Sequence, residues 1–322
     1  MVEQKAEVRD LTRAPRQLPI EVDGAVVYEI LLTLWTAFNP EERNTSFEMG
    51  DEWYQRVRES TPADLAEEIE RLGGPHCGVW LAVMGLMSSA PHPHEPEQVY
   101  DWLEQIEPRR LRRWLLGYAC GHSDAALIEE AANGDEAALR ELLDRANGEA
   151  KTGHMISLLQ IPEEELPARI ADVLRRFRGE VFSEFEPELA GAIARAAAAR
   201  RATVVRDSAK AVIEDVTRGL DYEIPLGVTR VVLVPSVVLR PLSLIDQQRE
   251  TLLVMYAVAD EFLEDDPEAP PSWLVRTYKA LSDEKRLRIL RRLGEGEATL
   301  DDLASVLGLA KSTVHHHIAI LR

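Results

Sequence analysis

The most specific arrangement of polar residues lies near the carboxyl end of the chain, in the sequence KSTVHH. Short or basic side chains in the first turn of a helix can reach DNA base edges, while the N–H groups at the amino end of that helix face a phosphate. We therefore predict that Lys311, Ser312 and His315 lie near bases and that Thr313 and His316 lie closer to phosphate.

Three further residues complete the predicted DNA-contacting set, namely Thr299, Arg288 and Arg292. His317 is expected to pack inside the module instead. Successive helical residues point about 100° apart, so the run of three histidines cannot converge on one metal ion.

His76, Cys77, Cys120 and His122 form a second candidate set. Two thiolates and two imidazoles satisfy tetrahedral zinc if the two segments meet. The alternative is that both cysteines are free and buried, each beside a glycine. We favour this alternative and predict no metal cofactor. His92 and His94, in the sequence SSAPHPHEP, are expected to lie in a polar loop.

Motifs of enzymes are missing from the sequence, which contains no glycine-rich phosphate loop, no GxSxG elbow and no HExxH pair. Runs of acids such as residues 163–165 are typical of solvated helix faces. We expect a protein that is not an enzyme.

The elements around KSTVHH predict a helix-turn-helix. Thr299 and Asp302 have the spacing of a capping pair for one helix, and Gly308 supplies the tight turn before a recognition helix over 311–321. The predicted buried positions are Leu300, Leu303, Ala304, Leu307, Val314, Ile318 and Leu321.

Two helices are expected ahead of this pair. Ser282 is the predicted N-cap of a helix over 283–293 that turns Leu287, Leu290 and Leu293 toward the core. A helix over 273–281 is expected to pack through Trp273, Val275 and Tyr278.

The sequence from Ala280 to Arg322 resembles the winged helix-turn-helix of ArsR-type bacterial repressors. Asp283, Arg286 and Leu287 fall in that family's A-D-x-x-R-L segment, and residues 303–321 follow its L-A-x-x-L-G-x-x-x-S-T-V-x-x-H-x-x-x-L pattern. The resemblance implies a DNA-binding regulator.

Three departures qualify the resemblance. Residues 299–307 contain no Cys or His, so metal sensing at that position is not expected. Ala310 stands where relatives have a serine N-cap, at a cost of about 1 kcal/mol. The family continues into a wing beyond the position of Arg322, so we expect a truncated chain or an incomplete winged fold.

The first 220 positions show mainly helical periodicity. Helices are expected from Val26, after a cap at Thr61-Pro62, and over 77–87, 97–106, 108–118, 123–132, 135–146, 164–182 and 188–218. Short apolar runs at 231–234, 237–239 and 252–256 predict a small antiparallel sheet near 222–258.

The predicted fold is thus mainly α, with a helical amino-terminal body, a small antiparallel sheet and a truncated winged helix-turn-helix. We divide the chain into a flexible arm (1–20), a sensing and dimerisation domain (21–262), an acidic and proline-rich linker (263–271) and the DNA-binding domain (272–322).

Charge is divided unevenly along the chain. The whole chain carries a net charge of −19, but positions 272–322 carry +3, which leaves −22 on the rest. This asymmetry is expected of a DNA-facing module attached to a body that DNA repels. No apolar run approaches the roughly 18 residues of a membrane span, and two cysteines are too few for a disulfide framework. We expect a cytoplasmic protein.

These observations predict a transcriptional regulator, a repressor, that binds double-stranded DNA as a homodimer. Its amino-terminal domain is expected to respond to an unknown signal, which is either a ligand such as a small-molecule effector or a partner. Two alternatives stay open: a protein-interaction factor that uses the helix-turn-helix for docking, and an enzyme domain fused to a DNA-binding module.

Overall fold

The computed structural model describes residues 18–39, 47–120, 125–145, 150–204, 208–263, 272–296 and 298–321. Most of the predicted arm (1–17), linker positions 264–271 and His122 lie outside these residues. The chain divides into two compact units, Met1–Val258 and Ala259–Arg322. No helix in the described ranges is both long and apolar enough to cross a membrane.

The first unit contains twelve described helices and four described strands. The helices are α1 (Val26–Phe38), α2 (Asp51–Ser60), α3 (Ala63–Gly73), α4 (Gly78–Met87), α5 (Pro96–Glu104), α6 (Pro108–Cys120), α7 (Ala125–Ala132), α8 (Glu136–Arg145), α9 (Ala150–Ser157), α10 (Glu165–Glu180), α11 (Glu186–Thr203) and α12 (Ala209–Val216). The strands are β1 (Ile20–Val22), β2 (Arg230–Ser236), β3 (Leu244–Gln248) and β4 (Thr251–Ala257).

Helix α1 is the centre of this unit. From Val27 to Phe38 every residue except Trp35 is buried. A helix that is apolar all round must be covered on every side, and α1 contacts α2, α3, α4, α10 and α11. Its buried Thr33 and Thr36 donate hydrogen bonds to carbonyls in the preceding turn, so their hydroxyls are satisfied within the helix.

The sheet is mixed, with the order β1-β2-β4-β3. Strand β2 pairs in parallel with β1 and β4, and only β3 and β4 are antiparallel. The predicted all-antiparallel sheet is therefore wrong for two of the three pairings. Helix α12 covers one face through Val212, Ile213 and Val216. Parallel strands are usually covered on both faces, which accounts for the unbroken burial of β4.

Residues 237–239, predicted as a strand, form a turn. The backbone N–H groups of Val237 and Val238 donate to Oε1 of Glu29, both at 2.8 Å, and that of Leu239 donates to Oγ of Ser236 at 3.2 Å. Because side chains accept the hydrogen bonds of these three backbone N–H groups, the groups do not pair with a neighbouring strand. The next strand is β3, which lies between the apolar runs at 237–239 and 252–256 and was not predicted.

Other differences concern helix ends. The helix expected over 188–218 is two helices, α11 and α12, and Ser208 caps the second by accepting from Ala211 N at 3.3 Å. Thr61 ends α2 and donates to the carbonyl of Val57, so it does not cap α3 as predicted. Strand β1 begins inside the segment expected to be a flexible arm.

Candidate nucleic-acid interface

The second unit contains four described α-helices. They are α13 (Ser272–Leu281), α14 (Glu284–Gly294), α15 (Leu300–Leu307) and α16 (Lys311–Leu321). The last two form the helix-turn-helix pair that the sequence predicted, and α16 has the bounds of the predicted recognition helix.

Helix α14 begins one residue later than expected, because its N-cap is Asp283 and not Ser282. The Asp283 carboxylate accepts hydrogen bonds from the backbone N–H groups of Lys285 and Arg286, at 2.9 and 3.0 Å. The bonds from Arg286 and then Lys285 lower the pKa of Asp283 by stabilising its charged form. A carboxylate also interacts favourably with the positive end of the helix dipole.

Helix α15 begins with the predicted capping box, which is confirmed. The hydroxyl of Thr299 accepts from Asp302 N at 3.2 Å, and the Asp302 carboxylate accepts from Thr299 N at 2.9 Å. The Thr299 hydroxyl also donates to the same carboxylate, at 2.6 Å, and these bonds lower the pKa of Asp302. The hydroxyl of Thr299, which was also predicted to contact DNA, is thus engaged in the cap of α15.

The turn between α15 and α16 depends on Gly308. Its φ of 62° lies in the left-handed region, as predicted. The chain reversal is closed by a hydrogen bond from Leu309 N to the carbonyl of Ala304 at 3.0 Å. Ala310 then supplies a carbonyl to the N–H groups of Thr313 and Val314, which begins α16 without a side-chain acceptor at residue 310.

A small apolar core joins α14, α15 and α16. Ile289, Leu303, Ala304 and Val314 are buried, and Leu300, Leu307, Ile318 and Leu321 pack around them. The predicted packing stripes of α15 and α16 are confirmed.

The predicted packing of α14 is wrong, because Leu287, Leu290 and Leu293 are 39–48% exposed. The helical period turns Ile289 toward Val314 instead. Tyr278, another predicted packing residue, is 68% exposed, Val275 is half-buried, and the side chain of Trp273 lies outside the described part of the structure.

Helix α16 presents Lys311 and His315 on one exposed face, since residues four apart are neighbours on a helix. Val314 and Ile318 hold the helix to the core. Thr313 is half-buried. The side chains of Ser312 and His316 are outside the described part. His317 is half-buried, with Nδ1 4.0 Å from Oδ1 of Asp283, in keeping with packing.

Arg288 and Arg292 lie one turn apart on α14. Arg288 is exposed and forms an ion pair with Glu284 at 2.5 Å. Arg292 is half-buried, and its charge is one of the lesser influences that lower the pKa of Asp302 at the start of α15. Arg292 therefore lies close to the helix-turn-helix. The guanidinium group of Arg288 is exposed to solvent and paired with the carboxylate of Glu284.

The described members of the cysteine and histidine candidate set, His76, Cys77 and Cys120, do not converge as metal ligands. Cys77 is buried at the start of α4, and Cys120 is half-buried at the end of α6, where it packs against an apolar cluster. Neither of them forms a disulfide bond. Among the described residues one set of three possible metal ligands converges, and it contains none of His76, Cys77 and Cys120.

That set is Asp23, His92 and His94. Both histidines lie in a loop, as predicted, but His94 is buried in it and is only 4% exposed. The sequence has no local signal for this burial, because Asp23 is 71 positions away along the chain.

The comparisons with known proteins concern the second unit alone. Residues 281–322 match the family model of a helix-turn-helix domain. No curated protein and no solved structure shows significant similarity to the chain. The carboxy-terminal module is thus a helix-turn-helix domain, a class of module typical of DNA-binding regulators.

Proposed function

We propose that the protein is a DNA-binding transcriptional regulator, a repressor, that reads operator DNA with α16. The observation that carries the proposal is the pairing of α15 and α16 across Gly308, with Lys311 and His315 exposed and Val314 buried. This is the arrangement by which a recognition helix enters the major groove while its partner helix supports it.

Within this proposal Lys311, Ser312 and His315 contact bases, and Thr313 and His316 contact phosphate. Arg288 and Arg292 add positive charge near the DNA backbone. Thr299 acts chiefly through its capping box, which places the amino end of α15 and its N–H groups for a phosphate contact. The ArsR type of the module belongs to the proposal as well, and the match of residues 303–321 to that family's sequence pattern supports it.

A homodimer is part of the proposal, because one short recognition helix binds DNA weakly and operators are commonly two-fold symmetric. The two recognition helices would then reach half-sites about 34 Å apart. The first unit, which is not an enzyme in this proposal, senses a small-molecule effector. Cys77 and Cys120 form no disulfide bond, which is in keeping with a cytoplasmic location.

The test is DNA binding by the full chain to genomic fragments selected for affinity, measured by fluorescence anisotropy over a range of salt concentrations. Affinity is expected to fall steeply with salt, since counterions are released from phosphates. Lys311→Ala should weaken binding and reduce the slope of log K against log salt by about 1 if Lys311 contacts a phosphate, and should relax base preference if it contacts a base.

The matched control is Lys210→Ala, which removes the same charge from the first unit, where Lys210 pairs with Asp221 at 2.8 Å. This variant should bind DNA like the unaltered protein. Salt-independent binding, or no binding to any fragment, would contradict the proposal and favour a protein-docking role. Sedimentation of the chain with an operator fragment tests the dimer, and a reporter gene downstream of that fragment tests repression.

A further inference from the structure

A cavity of about 490 Å³ lies beside the start of α1 in the first unit. The segment after β1, the loop before α5 and one side of α11 surround it. Its lining residues include Asp23, His92, His94, Glu95, Glu186 and Arg201.

Three potential ligand atoms converge at this cavity. One nitrogen of each histidine and one oxygen of Asp23 lie within 4.8 Å of one another. Nδ1 of His94 is 2.5 Å from Oδ2 of Asp23, and the rings of His92 and His94 stack with their centroids 4.0 Å apart. Two imidazoles and one carboxylate are a common ligand set for transition metals, and they leave further coordination positions open.

The first ligand, Asp23, is held in place by the backbone on both sides. Its N–H donates to the carbonyl of Leu233 at 2.9 Å, which continues the pairing of β1 with β2. Its Oδ1 accepts from Ala25 N at 3.1 Å, so Oδ2 is the oxygen left to face His94. The next residue, Gly24, lies so close to α11 that a Cβ atom there would be 2.7 Å from Cβ of Ala197.

The second ligand, His94, is oriented through its other nitrogen. Nε2 lies 3.2 Å from the carbonyl oxygen of Ala90, which can only accept a hydrogen bond, so Nε2 carries the proton. Histidines that bind metals are usually oriented in this manner by a carbonyl or carboxylate behind the ring. The lone pair of neutral His94 is thereby left on Nδ1, the nitrogen beside Asp23.

Carboxylates outnumber guanidinium groups in the lining of the cavity. Glu21, Asp23, Glu95 and Glu186 line it together with Arg201. Glu21 forms an ion pair with Arg230 at 3.5 Å, and Glu186 forms one with Arg178 at 2.8 Å. Asp23 is the carboxylate that converges with the two histidines.

We propose that Asp23, His92 and His94 bind a divalent transition-metal ion, Zn²⁺, with its remaining coordination position open to the cavity. Bonds of about 2.0–2.2 Å to nitrogen and oxygen require the Asp23 and His94 atoms to separate by less than about 1 Å. His92 is exposed and can rotate to complete the site. This inference is independent of the DNA-binding proposal.

The test uses the full chain after treatment with a chelator and removal of the chelator. Zn²⁺ is titrated by calorimetry, and Co²⁺ serves as a coloured substitute whose visible absorption reports low coordination number. One ion per chain is expected. His92→Ala removes a direct ligand and should lower the affinity for Zn²⁺ more than a hundredfold. Loss of a residue that only orients a ligand through a hydrogen bond has a smaller effect. Because His92 is exposed, this variant should keep its fold, which circular dichroism will check.

Asp23→Asn provides a second variant, which keeps the shape of the side chain and removes its charge; it should also lower the affinity. Two controls should bind one ion as the unaltered protein does. His76→Ala removes a histidine beside Cys77, and His315→Ala breaks the histidine run of α16.

Three results would each overturn the proposal. The first is a full chain that binds no Zn²⁺ at micromolar concentration, which would leave Asp23 and His94 as an ion pair only. The second is undiminished binding by both His92→Ala and Asp23→Asn. The third is loss of the ion from either control, which would place the metal elsewhere.

Discussion

Glu29 provides the sharpest prediction about the stability of the first unit. Its side chain is 1% exposed, and Oε1 accepts the N–H groups of Val237 and Val238. Oε2 is buried and has no hydrogen-bond partner among the described residues. Burial raises the pKa of Glu29 from 4.5 to about 7, although the hydrogen bonds from Ser236 and the two backbone donors act in the opposite direction.

The sign of the pH dependence follows from this shift. Between pH 4.5 and about 7 the folded protein keeps a proton on Glu29 that the unfolded chain has released. The folded state therefore binds more protons, and its free energy of unfolding decreases as pH rises through this window. A difference of this size between the two pKa values corresponds to about 3 kcal/mol of stability, present below pH 4.5 and lost above pH 7.

Glu29→Gln removes this dependence and keeps an oxygen to accept the two backbone N–H groups. At low pH the variant is expected to be less stable by about 1–3 kcal/mol, because the amide buries an extra N–H. As pH rises from 4.5 to about 7, the free energy of unfolding of the unaltered protein should fall by about 3 kcal/mol relative to that of the variant.

The assay is urea unfolding between about pH 5 and pH 8, followed by tryptophan fluorescence. Five of the six tryptophans precede residue 259, so the signal reports mainly the first unit. Glu67→Gln, on the exposed side of α3, is the control and should unfold in parallel with the unaltered protein at every pH. A stability difference between Glu29→Gln and the unaltered protein that does not change with pH would refute the reasoning.

Three further predictions concern packing and capping. Gly24→Ala should destabilise the first unit by about 1–3 kcal/mol, because its Cβ would lie 2.7 Å from that of Ala197; thermal melting checks this, and an unchanged melting temperature would show that α11 can move aside. Asp283→Ala should lower the free energy of unfolding of the second unit by about 1 kcal/mol, whereas Asp283→Asn keeps a capping oxygen and most of the stability. Equal losses of stability in the two variants, measured by unfolding followed by circular dichroism, would argue against capping. Ile289→Ala should lower the free energy of unfolding of the second unit by about 2–5 kcal/mol and also weaken DNA binding, because Ile289 is fully buried behind α16. A destabilised variant that keeps full DNA affinity would show that DNA binding does not depend on this packing.

Local sequence was informative wherever one segment supplies its own interactions. The capping box of Thr299 and Asp302 and the left-handed Gly308 depend on neighbours only a few residues away. Most helices of the first unit were placed to within a few residues for the same reason. Helices α2 and α9 were not foreseen, because α2 has only two buried residues and α9 is eight residues long, which leaves little periodic signal.

The mixed sheet could not be read locally. Strand β1 has three residues and pairs with Val231, Val232 and Leu233, about two hundred positions later. An apolar run indicates a buried strand but not its neighbour or direction. The turn after β2 depends on Glu29 in the same way, because its acceptor comes from a helix near the other end of the unit.

The sequence by itself determined the carboxy-terminal helix-turn-helix pair, the capping box of α15 and the left-handed turn at Gly308, because those features arise among a few neighbouring positions. Only the tertiary structure decided which charged groups are buried and which ligands meet. It placed Glu29 under a backbone turn and brought His94 to Asp23 beside a cavity. Both results depend on segments that are far apart in the chain. The burial of a carboxylate and the meeting of two side chains are set by the neighbours that the rest of the fold places around them.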